Sequence, residues 1–324
     1  MHRTILVKIA SYRDDELPKT VASLLGAAKY PERLRFAIVH QYGPETQTML
    51  DMYRDDMRFR LHDMNWREAR GVGLARQLSD RLYDGEDFFL QIDSHMRAKQ
   101  DWDESLEQEW MQLNDPRGIL SSYPPAYHYD EHDEEVYEAS NPNRLVPHEL
   151  HSGFIPIFFG KELPKTTSKR GAFAAGGLQF GPGQVCLDVE YEPRICFIGE
   201  EFVHSMRLYA AGYRVYSVEG RVLSHLYLRS QNQKNAHHFW QDFQGDTELA
   251  QVYTAMNTLS HQVIRGYFEG REGLSSAQVR AFEDFVGVDI ATGKVHEATY
   301  QIPDMPMATD DSWRARTIEM ISQQ

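Results

Sequence analysis

The feature that most constrains the fold is a regular alternation of strand and helix patterns through the first hundred residues. Short runs rich in β-forming residues are separated by stretches with apolar residues at helical spacing. The strand patterns cover 3–11, 34–42, 57–64 and 86–93, and the helix patterns cover 14–28, 44–56 and 66–83. This order predicts an α/β fold with a mostly parallel central sheet and helices on both faces. Ligands of such sheets bind in the crevice at the carboxyl ends of the strands.

The alternation breaks after residue 93, where the chain mixes helices and strands with two long irregular stretches. We predict loops at 123–150 and 164–184, and long loops within a domain are usually functional. The glycine-rich run 171–183 has the glycine hinges of a lid that excludes water. The remaining helix patterns cover 102–113, 200–212, 231–267 and 275–287, and the remaining strand patterns cover 118–125, 213–218 and 221–229.

Charge and composition narrow the classes of partner. The formal net charge is −14 over 324 residues, which argues against a nucleic-acid partner because such proteins present a basic surface. No stretch approaches the ~20 apolar residues of a membrane-spanning helix, so we expect no membrane span. The N-terminal apolar run predicts a strand, because it is too short and too broken for a signal peptide. Cys186 and Cys196 have no zinc-site spacing, and two thiols in a chain of this size favour a reducing, cytoplasmic location.

The strongest local motif is Asp93-Ser94-His95, directly after the fourth strand pattern. A carboxylate oxygen and an imidazole nitrogen are both ligands of divalent metal ions. Residues two apart in extended chain project to one face, so Asp93 and His95 can hold one ion and leave positions open for a diphosphate. His225, near the end of a later strand pattern, would complete a three-ligand site. Each residue also has an ordinary structural explanation. Asp93 is then a turn residue, His95 a surface histidine, and His225 a structural histidine in a strand.

A pair of acidic residues, Glu200 and Glu201, begins the helix pattern at 200–212. Acidic residues in a first helical turn are favoured by the helix macrodipole, which gives them an ordinary structural explanation. In the functional reading, one glutamate binds sugar hydroxyls or stabilises positive charge at an anomeric carbon.

Four further residues are candidates for binding a nucleotide. Ser11 and Arg13 end the first strand pattern, the position that holds base and ribose in nucleotide-binding α/β sheets. Gly71 would let the backbone approach a ligand closely. Arg76 and Arg70 are six residues apart on one predicted helix, so only one of them is expected to face the ligand. Neither a GxGxxG nor a GxxxxGK[ST] motif is present, so the sequence supports neither a dinucleotide-binding fold nor a P-loop.

Together these segments resemble a known family. Cytosolic polypeptide hydroxyproline N-acetylglucosaminyltransferases (glycosyltransferase family 60) carry similar motifs in the same order, and the polypeptide N-acetylgalactosaminyltransferases are distantly similar through an Asp-x-His motif and a later histidine. The resemblance covers about residues 3–230. The matching segments are ASYRD (10–14), ARGVGLAR (69–76), QIDSHMR (91–97) with WD (102–103), FIGEEFVHSMRLYAAGYRVY (197–216) and SHLYLR (224–229).

The resemblance implies a GT-A type fold and a retaining transfer of a sugar, GlcNAc, from UDP-GlcNAc or a related UDP-sugar to a hydroxyl of an acceptor peptide or glycan. It implies Mn(II) or Mg(II) as cofactor. By the same resemblance, Asp93, His95 and His225 are the metal ligands, and Ser94 lies beside the donor. Glu200 and Glu201 match the family's Gly-Glu-Glu and are the expected catalytic-site carboxylates.

The helix patterns toward the C-terminus complete the expected domain organisation, a GT-A catalytic domain over 1–244 and a C-terminal helical extension packed on it over 245–324. This chain departs from the family's pattern at Val72, which follows Gly71 where relatives often have proline. The alternatives are a sugar nucleotidyltransferase, a non-catalytic glycan-binding protein with the same fold, and a metal-dependent hydrolase. The loop SYRDDELP after the first strand pattern lacks the glycine-rich, basic character of a nucleotidyltransferase.

Overall fold

A computed structural model describes residues 2–139, 141–163, 170–227, 237–296, 299, 313–314 and 317–322. The predicted loop at 164–169, the end of the strand pattern at 228–229, the start of the helix pattern at 231–236 and most of the chain beyond 296 lie outside the described residues. Among the described helices, none combines the length and the apolar character needed to cross a membrane.

The first part of the chain forms the alternating elements that its sequence predicts. They are β1 (Ile5–Tyr12), α1 (Leu17–Ala27), β2 (Leu34–Tyr42), β3 (Phe59–Asn65), α2 (Val72–Asp80) and β4 (Phe88–Ile92), with single 3-10 turns at Pro31–Arg33, Asp51–Tyr53 and Trp66–Glu68.

The middle of the chain is richer in short strands. It contains β5 (Met96–Ala98), α3 (Trp102–Gln112), β6 (Gly118–Ser121), β7 (Tyr127–Tyr129), β8 (Glu135–Tyr137), β9 (Asn143–His151), β10 (Ile155–Glu162), β11 (Leu178–Pro182), α4 (Val185–Asp188), α5 (Glu200–Ala210), β12 (Arg214–Tyr216) and β13 (Leu223–His225).

The last part begins with helices and ends in short strands. Its described elements are α6 (Phe239–Gly245), α7 (Thr247–Phe268), α8 (Ser276–Val286), β14 (Val288–Asp289), β15 (Lys294–His296), β16 (Thr317–Glu319) and β17 (Ile321–Ser322). Strands therefore occur in a region for which the sequence predicts only helices. The division of the chain at 244 stays a prediction.

Seven strands form the central sheet, in the order β12-β6-β11-β4-β1-β2-β3. The pairings of β1 with β2 and β4, of β2 with β3 and of β6 with β12 are parallel, and β11 alone runs antiparallel to its neighbours. The predicted mostly parallel sheet is therefore confirmed. Because β1 and β4 are neighbours with Ile9 opposite Ile92, the residues that follow them reach the same edge of the sheet.

Successive side chains of β1 point to opposite faces of the sheet, as a strand requires. Val7 and Ile9 pack in a cluster that includes α1 and α3, whereas Leu6 packs in a cluster that includes residues of α4 and α5. A third apolar cluster joins α5, α7 and α8 to β9. Each face of the sheet is thus covered, and the open edge at the carboxyl ends of the strands is left for a site.

Two of the helix predictions are wrong in detail. The helix pattern at 44–56 forms turns, with only one 3-10 turn at Asp51–Tyr53. The pattern at 66–83 is not one helix, because a 3-10 turn precedes α2 and Gly71 separates them with a φ of +92°. A side chain at Gly71 would overlap the Cys196 carbonyl, so glycine is required where the two segments cross.

The expected lid at 171–183 is also wrong, because part of it is a strand of the central sheet. Residues 178–182 form β11, which is paired on both sides inside the central sheet and is almost wholly buried. The glycines that suggested hinges instead allow close packing, because a side chain at Gly183 would overlap the Glu86 carbonyl. Similarly, the predicted loop at 123–150 contains β7, β8 and most of β9.

Candidate functional site

The turn after β4 is fixed by side chains from the end of β1 and from α1. The Ser94 hydroxyl donates a hydrogen bond to Oδ2 of Asp14 over 2.7 Å. The Thr20 hydroxyl donates to the Ser94 carbonyl at 2.7 Å and accepts from the Met96 amide at 2.9 Å. These contacts give the Asp93-Ser94-His95 turn a defined shape before any ligand binds.

A two-stranded pairing brings His225 to this turn. Strand β13 runs antiparallel to β5 with His225 opposite Met96, and the Leu226 amide donates to the His95 carbonyl over 3.1 Å. The residue that follows His95 is therefore the pairing partner of His225. This pairing explains how ligands separated by 132 positions in the sequence meet.

The three predicted metal ligands converge. Nε2 of His225 lies 3.1 Å from Oδ2 of Asp93 and 3.1 Å from Nε2 of His95. The ligand atoms of all three residues lie within 4.8 Å of one another. His95 is oriented through its other ring nitrogen, since Nδ1 lies 2.7 Å from Oδ2 of Asp14.

This donor set fits a divalent cation. Neighbouring donors about 2.1 Å from an octahedral ion lie about 3 Å apart, which is close to the observed separations. A carboxylate bonded to the far nitrogen of a ligating histidine is the usual outer-shell arrangement, and Asp14 provides it for His95. Burial alone would raise the pKa of Asp93, but the hydrogen bond from His225 and the nearby charges outweigh it and hold that pKa well below its usual value. Burial lowers the pKa of His225 and so favours a neutral, ligating imidazole.

Arg76 links the turn to the start of α5. Its Nη1 atom donates to Oε1 of Glu200 over 2.5 Å, and its Nη2 atom lies 3.4 Å from Oδ1 of Asp93. The guanidinium is nearly inaccessible to solvent. Two glycines make room for this group, because a side chain at Gly176 would lie 2.6 Å from Nη2 of Arg76 and one at Gly177 would lie 2.6 Å from Oδ2 of Asp93.

The two glutamates of α5 have different surroundings. Glu201 accepts hydrogen bonds from the Gly176 amide at 2.6 Å and from the Tyr123 hydroxyl at 3.1 Å. Burial and the adjacent Glu200 raise the pKa of Glu201 to about 7. Burial also raises the pKa of Glu200, although Arg76 opposes that change. At neutral pH the pair therefore carries less negative charge than two free carboxylates.

Two clefts meet at the metal-ligand cluster. The larger cleft, of about 640 Å³, extends from the cluster past Tyr12, Gln41 and Gly71 to Trp240. The smaller cleft, of about 270 Å³, extends to the other side. Its lining combines polar groups with glycine backbone and aromatic rings: Arg76, Tyr123, Gly176, Gly177, Glu200, Glu201 and Tyr227. Asp93 and His225 line both clefts.

Not all of the residues predicted to contact a nucleotide lie beside the metal-ligand cluster. Gly71 lines the larger cleft. Ser11 lies wholly inside β1, and its buried Oγ atom has no hydrogen-bond partner among the described residues. Arg13 forms ion pairs with Glu45 and Asp242. Arg76 lies on the side of the smaller cleft, away from the end of β1.

Sequence reasoning missed several residues of the site. Asp14 is part of the ASYRD segment, but nothing local indicates that its carboxylate serves both Ser94 and His95. Tyr123 precedes two prolines in a predicted loop, and its bond to Glu201 bridges 78 positions. Gly176 and Gly177 are visible in the sequence, but their role depends on what packs against them. Trp102, in the WD segment, is buried, and its indole N–H donates a hydrogen bond to the Leu24 carbonyl.

Comparisons with known proteins address the family and the fold. The family model described as Glycosyltransferase (GlcNAc) matches residues 4–56 and 50–292. The crystal structure of GalNAc-T7 with UDP, GalNAc and Mn2+ is similar with a TM-score of 0.58 at 15% identity, over 87% of this chain. This chain spans about half, 54%, of the GalNAc-T7 chain. That likeness confirms the expected GT-A type fold.

Structures of TarS from S. aureus are more distant. TarS 1-349 matches with a TM-score of 0.45 at 12% identity, over 83% of this chain and 74% of its own. Its complex with UDP-GlcNAc matches with a TM-score of 0.45 at 11% identity, over 87% of this chain and 80% of its own. No curated protein matches the sequence at a significant level.

Proposed function

Since the chain belongs to the Glycosyltransferase (GlcNAc) family, we propose that it transfers GlcNAc from UDP-GlcNAc to an acceptor hydroxyl with the help of a divalent metal ion. The observation that carries this proposal is the convergence of Asp93, His95 and His225 where two clefts meet. A UDP-sugar has three parts in linear order, a nucleoside, a diphosphate and a sugar. The larger cleft, the cluster and the smaller cleft follow the same order.

A Mn(II) or Mg(II) ion held by these three residues would supply Lewis-acid stabilisation of the diphosphate leaving group. The chain's own contribution is the fixed geometry of the ligands. Asp14 orients His95 and also holds Ser94, which lies beside the diphosphate in this proposal. Arg76, next to Asp93, adds positive charge on the sugar side of the cluster. These groups are arranged before the donor binds, which lowers the reorganisation needed in the reaction.

The smaller cleft suits a pyranose. Glu200 and Glu201 provide carboxylate oxygens, the Gly176–Gly177 backbone allows close approach, and Tyr227 provides a half-exposed aromatic ring at the mouth. We assign the two glutamates to binding the sugar hydroxyls and to stabilising positive charge at the anomeric carbon. The larger cleft would hold uridine between Tyr12, Gln41 and Gly71.

We further propose that the transfer retains the anomeric configuration and needs no protein base. Of the two α5 glutamates, Glu200 is paired with Arg76 through Oε1, and Glu201 accepts hydrogen bonds from the Tyr123 hydroxyl and the Gly176 amide. The acceptor oxygen would then attack from the side of the departing UDP, and the leaving phosphate would take its proton. The resemblance to the hydroxyproline N-acetylglucosaminyltransferases supports a hydroxyproline-containing peptide as acceptor, and an alternative acceptor is a glycan.

Two organisational points belong to the same proposal. Residues 1–244 would form the catalytic domain, with 245–324 as an extension packed on it. Helix α7 packs against the site-bearing α5 through the shared apolar cluster that contains Phe202 and Ile264. A cytoplasmic location is supported by Cys186 and Cys196, which are both free thiols.

The decisive experiment measures donor hydrolysis, because it requires no knowledge of the acceptor. UDP release is followed with a panel of UDP-sugars in Mn(II), with and without EDTA, for the wild type, Asp93→Ala and the exposed control Asp84→Ala. We expect UDP-GlcNAc to be the preferred donor and EDTA to abolish release. Asp93→Ala should lower the rate at least about 100-fold, since the metal supplies several kcal/mol of stabilisation. An Asp93→Ala rate equal to that of Asp84→Ala would contradict the proposal.

A second measurement tests the acceptor and the stereochemistry. Peptides with hydroxyproline are compared with the same peptides containing proline, and with free glycans, by mass spectrometry of the products. The anomeric configuration of a product follows from its proton coupling constants. We expect transfer only to peptides that carry the hydroxyl, with retention. Transfer to glycans alone, or an inverted product, would refute the corresponding part of the proposal.

A further inference from the structure

One carboxylate outside the metal-ligand cluster collects hydrogen bonds from two distant parts of the chain. Oδ2 of Asp242, in α6, accepts from the Tyr12 hydroxyl at 3.1 Å and lies 2.8 Å from Nη1 of Arg13. The Nδ1 atom of His237 lies 3.1 Å from the same oxygen. Tyr12 and Arg13 stand at the end of β1, about 230 positions away.

Arg13 has an unfavourable backbone conformation. Its φ of +48° lies in the left-handed region, which a residue with a side chain adopts at a cost. Its Nε atom donates to Oε1 of Glu45 at 2.7 Å, and its guanidinium lies 4.8 Å from the centre of the Trp66 ring. A side chain at Gly43 would lie 2.6 Å from Nε of Arg13, so the glycine keeps this position open. Local strain of this kind persists only where the surroundings determine it, and it concentrates at functional sites.

The residues that precede Asp242 in the chain form one wall of the larger cleft. Residues 237–240, which lead into α6 and form its first turn, line the same cleft as Tyr12 and Gln41. Phe239 packs edge-on against the Tyr12 ring at 5.7 Å, and Trp240 packs against Phe197 at 5.1 Å. The apolar contacts hold the wall close, and the directional bonds to Asp242 set its orientation relative to β1.

We infer that Asp242 is a positioning residue for the donor, which shapes the nucleoside half of the cleft by fixing residues 237–240 against the end of β1. The inference rests on the proposed UDP-sugar function. Arg13 then acts through Asp242 and Glu45, and not by direct contact with the nucleotide as its place in the sequence suggests. Because both side chains are less than one-fifth exposed, their ion pair is shielded from solvent more than a typical surface pair.

The test measures UDP binding in Mn(II) by isothermal titration calorimetry. The variants are Asp242→Asn, Arg13→Gln and the double variant, with Arg67→Gln as a matched control. Arg67 pairs with Asp246 at 2.6 Å and joins the neighbouring turn to the start of α7, but it does not line the cleft. Each single variant should weaken UDP binding about tenfold, as a displaced binding wall would. The double variant should be no weaker than the weaker single variant, because partners in one contact are non-additive.

Donor hydrolysis measured over a range of UDP-GlcNAc concentrations separates positioning from chemistry. We expect KM to rise in Asp242→Asn while kcat changes less than about threefold, since the metal ligands are untouched. Wild-type-like UDP binding in both single variants would overturn the inference, as would equal weakening in Arg67→Gln. Additive effects in the double variant would assign Arg13 its own contact with the nucleotide and would also overturn it.

The outcome remains decisive if one variant is unstable. Arg13→Gln and Tyr12→Phe remove the same contacts from the β1 side, and thermal unfolding identifies a variant that is not folded. Should Asp242→Asn not fold, wild-type-like UDP binding by the two β1-side variants would overturn the inference. A wild type that does not bind UDP at all would contradict the proposed function itself and this inference with it.

Discussion

Nε2 of His225 lies 3.1 Å from Oδ2 of Asp93, although 132 positions separate the two residues. The contact depends on the pairing of β13 with β5, a strand that directly follows the Asp93-Ser94-His95 turn. A short strand pair thus completes the candidate metal site. This relationship and its surroundings lead to four predictions beyond the experiments above.

Replacement of His225 should impair metal binding first and turnover as a result. His225→Ala removes one of three protein ligands, and we expect Mn(II) affinity to fall at least about 100-fold, more than the loss of an outer-shell partner. Isothermal titration calorimetry with Mn(II) measures this directly. His132→Ala, at a largely exposed histidine, is the control. Unchanged Mn(II) affinity in His225→Ala would remove this residue from the ligand set.

Asp14 should matter for metal affinity although it is not among the three ligands. Asp14→Asn weakens the carboxylate contact that orients His95 and the bond from Ser94, so we expect Mn(II) to bind about 10–100-fold more weakly. The exposed Asp84→Asn serves as the control. If Asp14→Asn bound Mn(II) like the wild type, His95 would not depend on this contact for its orientation.

A methyl group at Gly177 should disturb the site through Asp93. The added Cβ would lie 2.6 Å from Oδ2 of Asp93, which forces the carboxylate to move. Gly177→Ala should therefore reduce Mn(II) affinity and UDP release, each at least about tenfold, as misplacement of a reacting group does. At Gly26, in α1, the added Cβ would meet nothing within 4 Å, and Gly26→Ala should stabilise the protein by about 0.5–1 kcal/mol. Equal activities in the two variants would show that the site tolerates the methyl group.

Stability in the absence of metal should fall as pH rises toward neutrality, in part because of Glu201. Burial and Glu200 raise the pKa of Glu201 from 4.5 to about 7, so the folded state holds this proton more tightly than the unfolded state does. The stabilisation is complete below about pH 4.5 and is lost as pH rises through about 7, by an amount on the order of 1–3 kcal/mol.

Urea unfolding in EDTA between pH 4.5 and pH 8 measures this dependence. Glu201→Gln should flatten it, because the amide does not titrate. The comparison between the two proteins cancels the contribution of the ionisable groups that do not interact with Glu201. A wild type and a Glu201→Gln variant with parallel pH profiles would contradict the assignment to Glu201.

The sequence predicted the architecture where its signals were local. The strand patterns before Asp93 correspond to β1, β2, β3 and β4. Strands β1, β2 and β4 are buried on both faces, which makes them short, nearly continuous apolar runs in the sequence. The prediction failed where tertiary packing, and not local composition, determines the conformation. The glycine-rich segment expected to be a lid contains the central strand β11, since its neighbours in the sheet, and not its own composition, determine its conformation.

For the candidate site, the sequence by itself indicated a glycosyltransferase with a GT-A type fold and supplied the chemical groups, since an Asp-x-His turn after a buried strand is a local pattern. Only the tertiary structure decided which groups meet. Three contacts join segments that are far apart in the chain. Asp14 contacts His95, Arg76 contacts Glu200, and Asp242 contacts Arg13. The physical reason is that hydrogen bonds and charges act over a few ångströms of space, and the folded sheet sets those distances independently of separation along the chain.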